Sequence, residues 1–323
     1  SKKYSEGVAL ADNATTLARK VHPAPRGAYA LRENIEVILV VMAVALGFRT
    51  YFFQPYQIPT GSMQPTLYGM TSNTDYTPDW TDKVPARYGK FLLTGSRYKT
   101  IEAKATGIMP AISGKDRKDT YYYITIGGRK HKIHQDMIFE VLPSTVDRAR
   151  FHPWFPLPGT KVTKGDVITR GLLKQGDHII VNRVGVNFAR PDRGDIVVFS
   201  TKNLPMVRSN SAYIKRLTGL PGETISIQDG KLYADGKLVL EPEVFLRQYE
   251  DENYPGYGDF PDGRESLTLG EEEFLMMGDN TNHSLDGRYF GGVPAENILG
   301  TGVFVPWPFF NRGIHDDRAG RVK

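Results

Sequence analysis

One apolar run constrains this chain more than any other feature. Residues 37–48 read VILVVMAVALGF, twelve uncharged positions. Alone they fall short of a hydrocarbon core of about 30 Å, which takes roughly 20 helical residues. The run extends upstream to Ile35 and downstream through Thr50, Tyr51, Phe52 and Phe53. Only Glu36 and Arg49 break it, each near an end where a side chain reaches the interface. The pattern predicts a single membrane anchor over 35–53. A buried core helix is the rival reading from pattern alone. A cleaved signal peptide fits worse, because 34 residues precede the run and no small-residue cleavage site follows it. Residues 1–34 carry six basic and three acidic side chains. The positive-inside rule therefore puts them in the cytoplasm and the chain after about residue 54 outside.

Composition closes several other routes. Zero Cys excludes disulfide scaffolds, thiol catalysis and Cys-ligated metals. A net charge of +5 is too small for a dedicated nucleic-acid binder. The charge is uneven: 68–175 hold 18 basic and 10 acidic residues, and 176–323 hold 16 and 22. Beyond the anchor the chain reads as mainly β. QPYQIP (54–59), HIIVNRV (178–184), DIVVFS (195–200), FLMMGDN (274–280) and ILGTGVFVPW (298–307) are strand-like. TISIQDGKLYADGKLVL (224–240) carries two Asp-Gly turn signals, and YYYITIGGRKHKIH (121–134) folds back at Gly127-Gly128. Helical periodicity after the anchor is nearly absent.

Four segments carry candidate chemistry. PTGSMQPTL (59–67) sets Ser62 beside Gly61 between prolines, a rigid turn that suits an exposed nucleophile or is simply a turn. GDHIIVNR (176–183) with RGDIVVF (193–199) is the second segment. The third, YIKRLTGLPGE (213–223), places Lys215 in a strand-like setting. Burial there would favour the neutral amine and make a base of it; the plain alternative is a solvated edge lysine. GDNTNHSLDGR (278–288) is the last. His178 and His283 invite a Ser–His–Asp triad, yet no Ser lies in a G-x-S-x-G elbow. The seven His and the carboxylates show no metal-ligand spacing, so no metal site is expected.

In this order, behind one anchor, the four segments resemble the type I signal peptidases, membrane-bound Ser/Lys proteases that remove signal peptides. With the closing Val293-Pro294 and Phe309, the resemblance covers about 190 residues. It implies Ser62 as nucleophile, Lys215 as general base and Ser284 as an accessory hydroxyl that steadies the amine. Thr60, standing where many relatives carry Ser, would join the Ser62 N–H in the oxyanion hole. Arg216, Asp279, Asp286 and Arg288 match positions that form structural ion pairs. Tyr56, Ile58, Met63, Leu67, Tyr213 and Ile214 match the walls of shallow pockets for small residues at −1 and −3. The substrate would lie as an added strand against 54–59 and the strand before Lys215. Thr281, His283, Gly287 and Glu223 depart from the family pattern.

The implied protein is a bacterial cytoplasmic-membrane enzyme without cofactor. Its partners would be signal-peptide-bearing preproteins, membrane lipids and the secretion translocon, and not nucleic acid. The expected organisation is a cytoplasmic segment 1–34, the anchor 35–53, and an all-β catalytic domain built from 54–67 and 176–323. A β-rich insertion, 68–175, interrupts that domain. Its basic excess and the aromatic loop FHPWFPLPG (151–159) suit anionic lipid headgroups, or else form a solvated basic face. A self-cleaving Ser/Lys protease and a catalytically silent scaffold are the rival functions.

Overall fold

The computed structural model describes residues 2–21, 28–112, 121–140, 150–152, 154–252 and 254–308. It comprises two units, 1–52 and 53–323. The first holds two helices, α1 (Lys2–Val21) and α2 (Ala28–Tyr51). From Val37 to Leu46 the large apolar side chains of α2 stand exposed on every side, each at 52–67%. Such a helix lacks the one-sided stripe that packs on a soluble core.

The expected membrane-spanning anchor is corrected. Among the described residues no helix is long and apolar enough to cross a membrane. The uninterrupted apolar stretch between Glu36 and Arg49 is twelve residues, about 18 Å of helix against a core of about 30 Å. At its far end Phe53 already belongs to a strand. The orientation drawn from the basic flank presupposed a crossing helix and loses its basis.

The second unit is mainly β, as its short β-branched runs and Asp-Gly turns predict. Its centre is a seven-stranded antiparallel sheet: β1 (Phe53–Gln57), β2 (His178–Asn182), β3 (Ile196–Ser200), β4 (Ala212–Gly219), β5 (Glu273–Met277), β6 (Val293–Pro294) and β7 (Ile298–Trp307). The order is β1-β2-β7-β3-β4-β5-β6. β3 shows why its sequence is a continuous apolar run: both faces are covered. Ile196 and Val198 enter a core with Ile58, Met63 and Leu67. Val197 and Phe199 enter another with Leu217, Phe274 and Met276. A smaller sheet, Thr224–Gln228 with Lys231–Ala234, Lys237–Leu238 and Ser266–Thr268, follows the two Asp-Gly turns. Phe309, which closes the family resemblance, lies outside the described residues.

Residues 68–175 have a core of their own, including Ile101, Met109, Ile124, Ile126, Ile133, Met137, Phe155 and Ile168. Around it lie the strands Thr71–Asn73, Val167–Lys174 and Ser96–Glu102 and the hairpin Tyr121–Ile126 with Arg129–His134. Where the excursion leaves and returns, the Asp177 N–H donates to Tyr68 O at 2.9 Å. The Tyr68 N–H donates to the Asp177 carboxylate at 2.7 Å. Two local readings change. KFLLTG lies largely within a helix, α3 (Ala86–Thr94), built from Ala, Arg, Lys and Leu without strand alternation. In the loop 151–159, Phe155 is buried in the insertion core, leaving Trp154 and Leu157 outward; Pro153 lies outside the described residues.

Ile126 is fully buried in that core. Ile126→Ala should lower stability by about 2–5 kcal/mol in urea denaturation followed by circular dichroism. An unchanged midpoint would mean that the insertion core does not contribute to the unfolding transition.

Candidate active site

β4 is the strand on which the site is built. Ala212–Arg216 pair with Ser200–Ile196 of β3, whereas pairing with β5 begins only at Arg216. Among the described residues, Ala212–Lys215 are thus bordered by a strand on one side alone. Lys215 sits where that open side ends. It is 4% exposed, and its Nζ donates to Ser62 Oγ at 2.6 Å and to Ile214 O at 3.1 Å. Burial lowers the amine's pKa to about 8; Asp286 and Asp279 pull it back up, and Arg288 pushes it down.

The Ser62 turn is held from outside by the loop after β5. Asn280 N–H donates to Ser62 O at 3.1 Å, and Asn280 Nδ2 donates to Gly61 O at 3.0 Å. Gly278 is required by close approach. A Cβ there would fall 2.1 Å from Ser284 Oγ and 2.5 Å from Ser62 O. Ser284 is 7% exposed, and among the described residues its hydroxyl has no hydrogen-bond partner.

Two buried ion pairs flank the lysine. Arg216 Nε and Nη2 donate to the two carboxylate oxygens of Asp279 at 2.8 and 2.6 Å, and Nη1 donates to Gly194 O at 2.6 Å. Thr66 Oγ1 donates to Asp279 at 2.5 Å, tying the chain just after Ser62 to the pair. Arg288 donates to Asp286 through Nε and Nη2 at 2.9 and 3.0 Å, and to Thr281 O at 2.6 Å. Asp286 also accepts from Gly278 N–H at 3.1 Å, linking the second pair to the Ser284 contact.

The six wall residues divide. Ile58, Met63 and Leu67 are 0–2% exposed and form core with Ile179, Val181, Ile196 and Val198. They present no surface to a substrate here. Tyr56 and Ile214 pack on the same cluster and keep partial exposure. Tyr213 belongs to the opposite core, its ring 6.3 Å from Phe199 and 5.7 Å from Lys215 Nζ. Thr60 is exposed two residues before Ser62. His178 stacks edge-on against Trp307, and His283 is exposed in a turn; Ser62 Oγ meets Lys215 Nζ instead, which leaves the triad without support. Thr66 and Asn280 stood inside the motifs without a role assigned to them, because hydrogen bonds across more than 150 residues leave no trace in spacing. Among the described residues no three His, Asp or Glu side chains converge to hold a metal ion. A cavity of about 610 Å³, lined by Tyr76, Tyr98, Trp154 and Arg170, lies in the insertion and includes none of these residues.

Comparisons with known proteins agree on one family. The family model "Signal peptidase, peptidase S26" matches residues 31–79 and 169–307. "Probable signal peptidase I-2" of Synechocystis sp. is 33% identical over 154 residues, covering 46% of this chain and 63% of that protein. "Signal peptidase I" of Leptolyngbya laminosa is 36% identical over 140 residues, covering 42% and 63%. "Signal peptidase I T" of Bacillus subtilis is 36% identical over 140 residues, covering 42% and 68%. The chain thus spans 63% of the length of the first two relatives. The unmatched interval falls within the insertion. With more than half its residues matched, the chain belongs to the signal peptidase family, peptidase S26.

Proposed function

We propose that the chain is a signal peptidase I: a serine endopeptidase that removes signal peptides from preproteins with a Ser62/Lys215 dyad. The observation that carries this reading is the 2.6 Å contact between a buried Lys215 amine and Ser62 Oγ. With the amine neutral the contact reverses, and the Ser62 hydroxyl donates its proton to Nζ as Oγ attacks the scissile carbonyl carbon. The oxyanion is held by the Ser62 N–H and the Thr60 hydroxyl. The ammonium then passes its proton to the departing amine, leaving an acyl-Ser62. Water, deprotonated by the same amine, releases the signal peptide. Ser284 accepts from the ammonium when it forms and keeps it aimed. The substrate adds as a strand along the open side of Ala212–Lys215. Tyr56, Tyr213 and Ile214 limit the residues at −1 and −3 to small ones. The apolar side chains of α2 enter lipid and hold the chain at a membrane, where preproteins arrive.

Ser62→Ala, Lys215→Ala and the double variant should each abolish cleavage of a labelled preprotein, the double being no worse than either single. Lys215→Arg should fail too, since a guanidinium stays protonated. Turnover in Lys215→Arg would overturn the base assignment, and an inert wild-type chain would favour the silent scaffold. Scission of the chain itself, without the preprotein, would favour the self-cleaving protease.

Because the base works only as the free amine, kcat/KM should rise with pH and level off above an apparent pKa near 8. About a tenfold loss per unit is expected below it. A flat profile from pH 6 to 9 would exclude a titrating Lys215.

Thr60→Val should lower kcat about a hundredfold with little change in KM, while Thr60→Ser stays near wild type. Equal turnover of the two variants would leave Thr60 a turn residue only.

A further inference from the structure

Helix α3 is built inside out. Its inward side carries a charge: Lys90 Nζ donates to Asp82 at 2.6 Å and to Tyr76 OH at 2.7 Å, with side chains only 15% and 4% exposed across the ion pair. Phe91 packs edge-on against Trp307 at 5.6 Å, and Trp307 Nε1 donates to Leu92 O at 2.7 Å. These contacts fix the helix to the end of β7 and set its outward side. That side is apolar. Within α3, Tyr88 and Leu92, four apart and so on one face, are 62 and 63% exposed, joined by Leu93 at 46%; in the segment before the helix Trp80 and Val84 are 74 and 63% exposed. Lys83 and Arg87, both exposed, are interleaved with them, and Arg87 Nη2 donates to Tyr88 OH at 2.9 Å.

We infer that this outward face of α3, with the turn before it, is a bilayer-contact surface that seats the second unit on the lipid interface. A surface helix facing water normally turns its leucines in; this one turns Leu92 and Leu93 out and draws Lys90 in. Trp and Tyr carry an apolar body and a polar tip, which suits the headgroup level. Interleaved Lys and Arg suit the phosphates beside it. A bilayer is favoured over a protein partner by chain continuity. α2, whose large apolar side chains from Val37 to Leu46 stand exposed on every side, ends at Tyr51, and β1 begins at Phe53 after a single residue. The inference therefore rests on α2 entering lipid.

The chain has no cysteine, so single sites can be labelled cleanly. Spin labels are attached to the full chain at Leu92→Cys, Tyr88→Cys, Val41→Cys in α2, and Lys237→Cys as an exposed polar control. The protein is reconstituted in phosphatidylcholine vesicles containing phosphatidylglycerol, and circular dichroism checks each fold. The readout is the ratio of collision rates with oxygen, which partitions into lipid, to those with a water-soluble nickel chelate. At 88, 92 and 41 the ratio should stand several-fold above that at 237. A high ratio at 41 with aqueous values at 88 and 92 overturns the inference and leaves the role of α2 intact. Aqueous values at all positions overturn both. Labels at 88 and 92 shielded from both reagents, with broadening that grows with the protein-to-lipid ratio, identify a second copy as the occupant and overturn the bilayer assignment.

Discussion

The proposed chemistry depends on an uncharged amine on Lys215, and burial is what moves the amine toward that form. The two nearby carboxylates work against that condition, since each favours the ammonium. Their arrangement limits the damage. Asp279 commits both oxygens to Arg216 and accepts Thr66 as well; Asp286 is held by Arg288 and the Gly278 N–H. Each negative charge near the lysine is thereby matched by a buried arginine, and desolvation prevails. The cost is borne by the fold. A lysine held at about 8 against an ordinary 10.5 destabilises the native state on the order of 3 kcal/mol where it is protonated both folded and unfolded. Its folded pKa is depressed, so the penalty is full below pH 8. It fades as pH rises from 8 toward 10.5.

The ion pairs also act as mechanical ties. Ser62 stands on a turn between β1 and the insertion, whereas Lys215 stands in mid-sheet, 153 residues later. The loop after β5 bridges them, because Asn280 binds the backbone of Gly61 and Ser62 while Asp279 binds Arg216, the residue beside Lys215. Removing either member of the Arg216–Asp279 pair would strand a buried charge, a loss of about 3–5 kcal/mol when one partner goes.

What the sequence disclosed and what it hid follow from the range of the forces involved. β3 and the 224–234 hairpin were legible because apolar runs and Asp-Gly turns are local signals. The helix at 86–94 was not, since its leucines point outward and its lysine inward, which defeats a periodicity argument that assumes an aqueous surface. Met63 and Leu67 resembled pocket walls by motif and are core by burial, a distinction that packing alone makes. The membrane-spanning reading of 35–53 needs more apolar helix than the chain has: past Arg49 the helix ends at Tyr51, and Phe53 already belongs to β1.

The departures at the last motif show which parts of that loop are constrained. His283 is exposed and free to differ. Thr281 is buried, yet what the loop takes from it is its carbonyl, which accepts from Arg288 and which any residue provides. Gly287 is less free: a Cβ there would fall 2.5 Å from Leu275 Cδ1 and 3.0 Å from Met276 O, so a Ser at this position would require the Leu275 side chain to move aside. Glycine lets the short helix Gly287–Phe290 pack directly on β5, and Asp286 caps that helix through the Arg288 N–H. The same carboxylate holds the Gly278 N–H, and Gly278 lies between Ser284 Oγ and Ser62 O. The geometry at Ser62 therefore depends on Asp286 and the glycines around it. Side-chain identity at 281 and 283 can drift without touching the contact between Ser62 and Lys215.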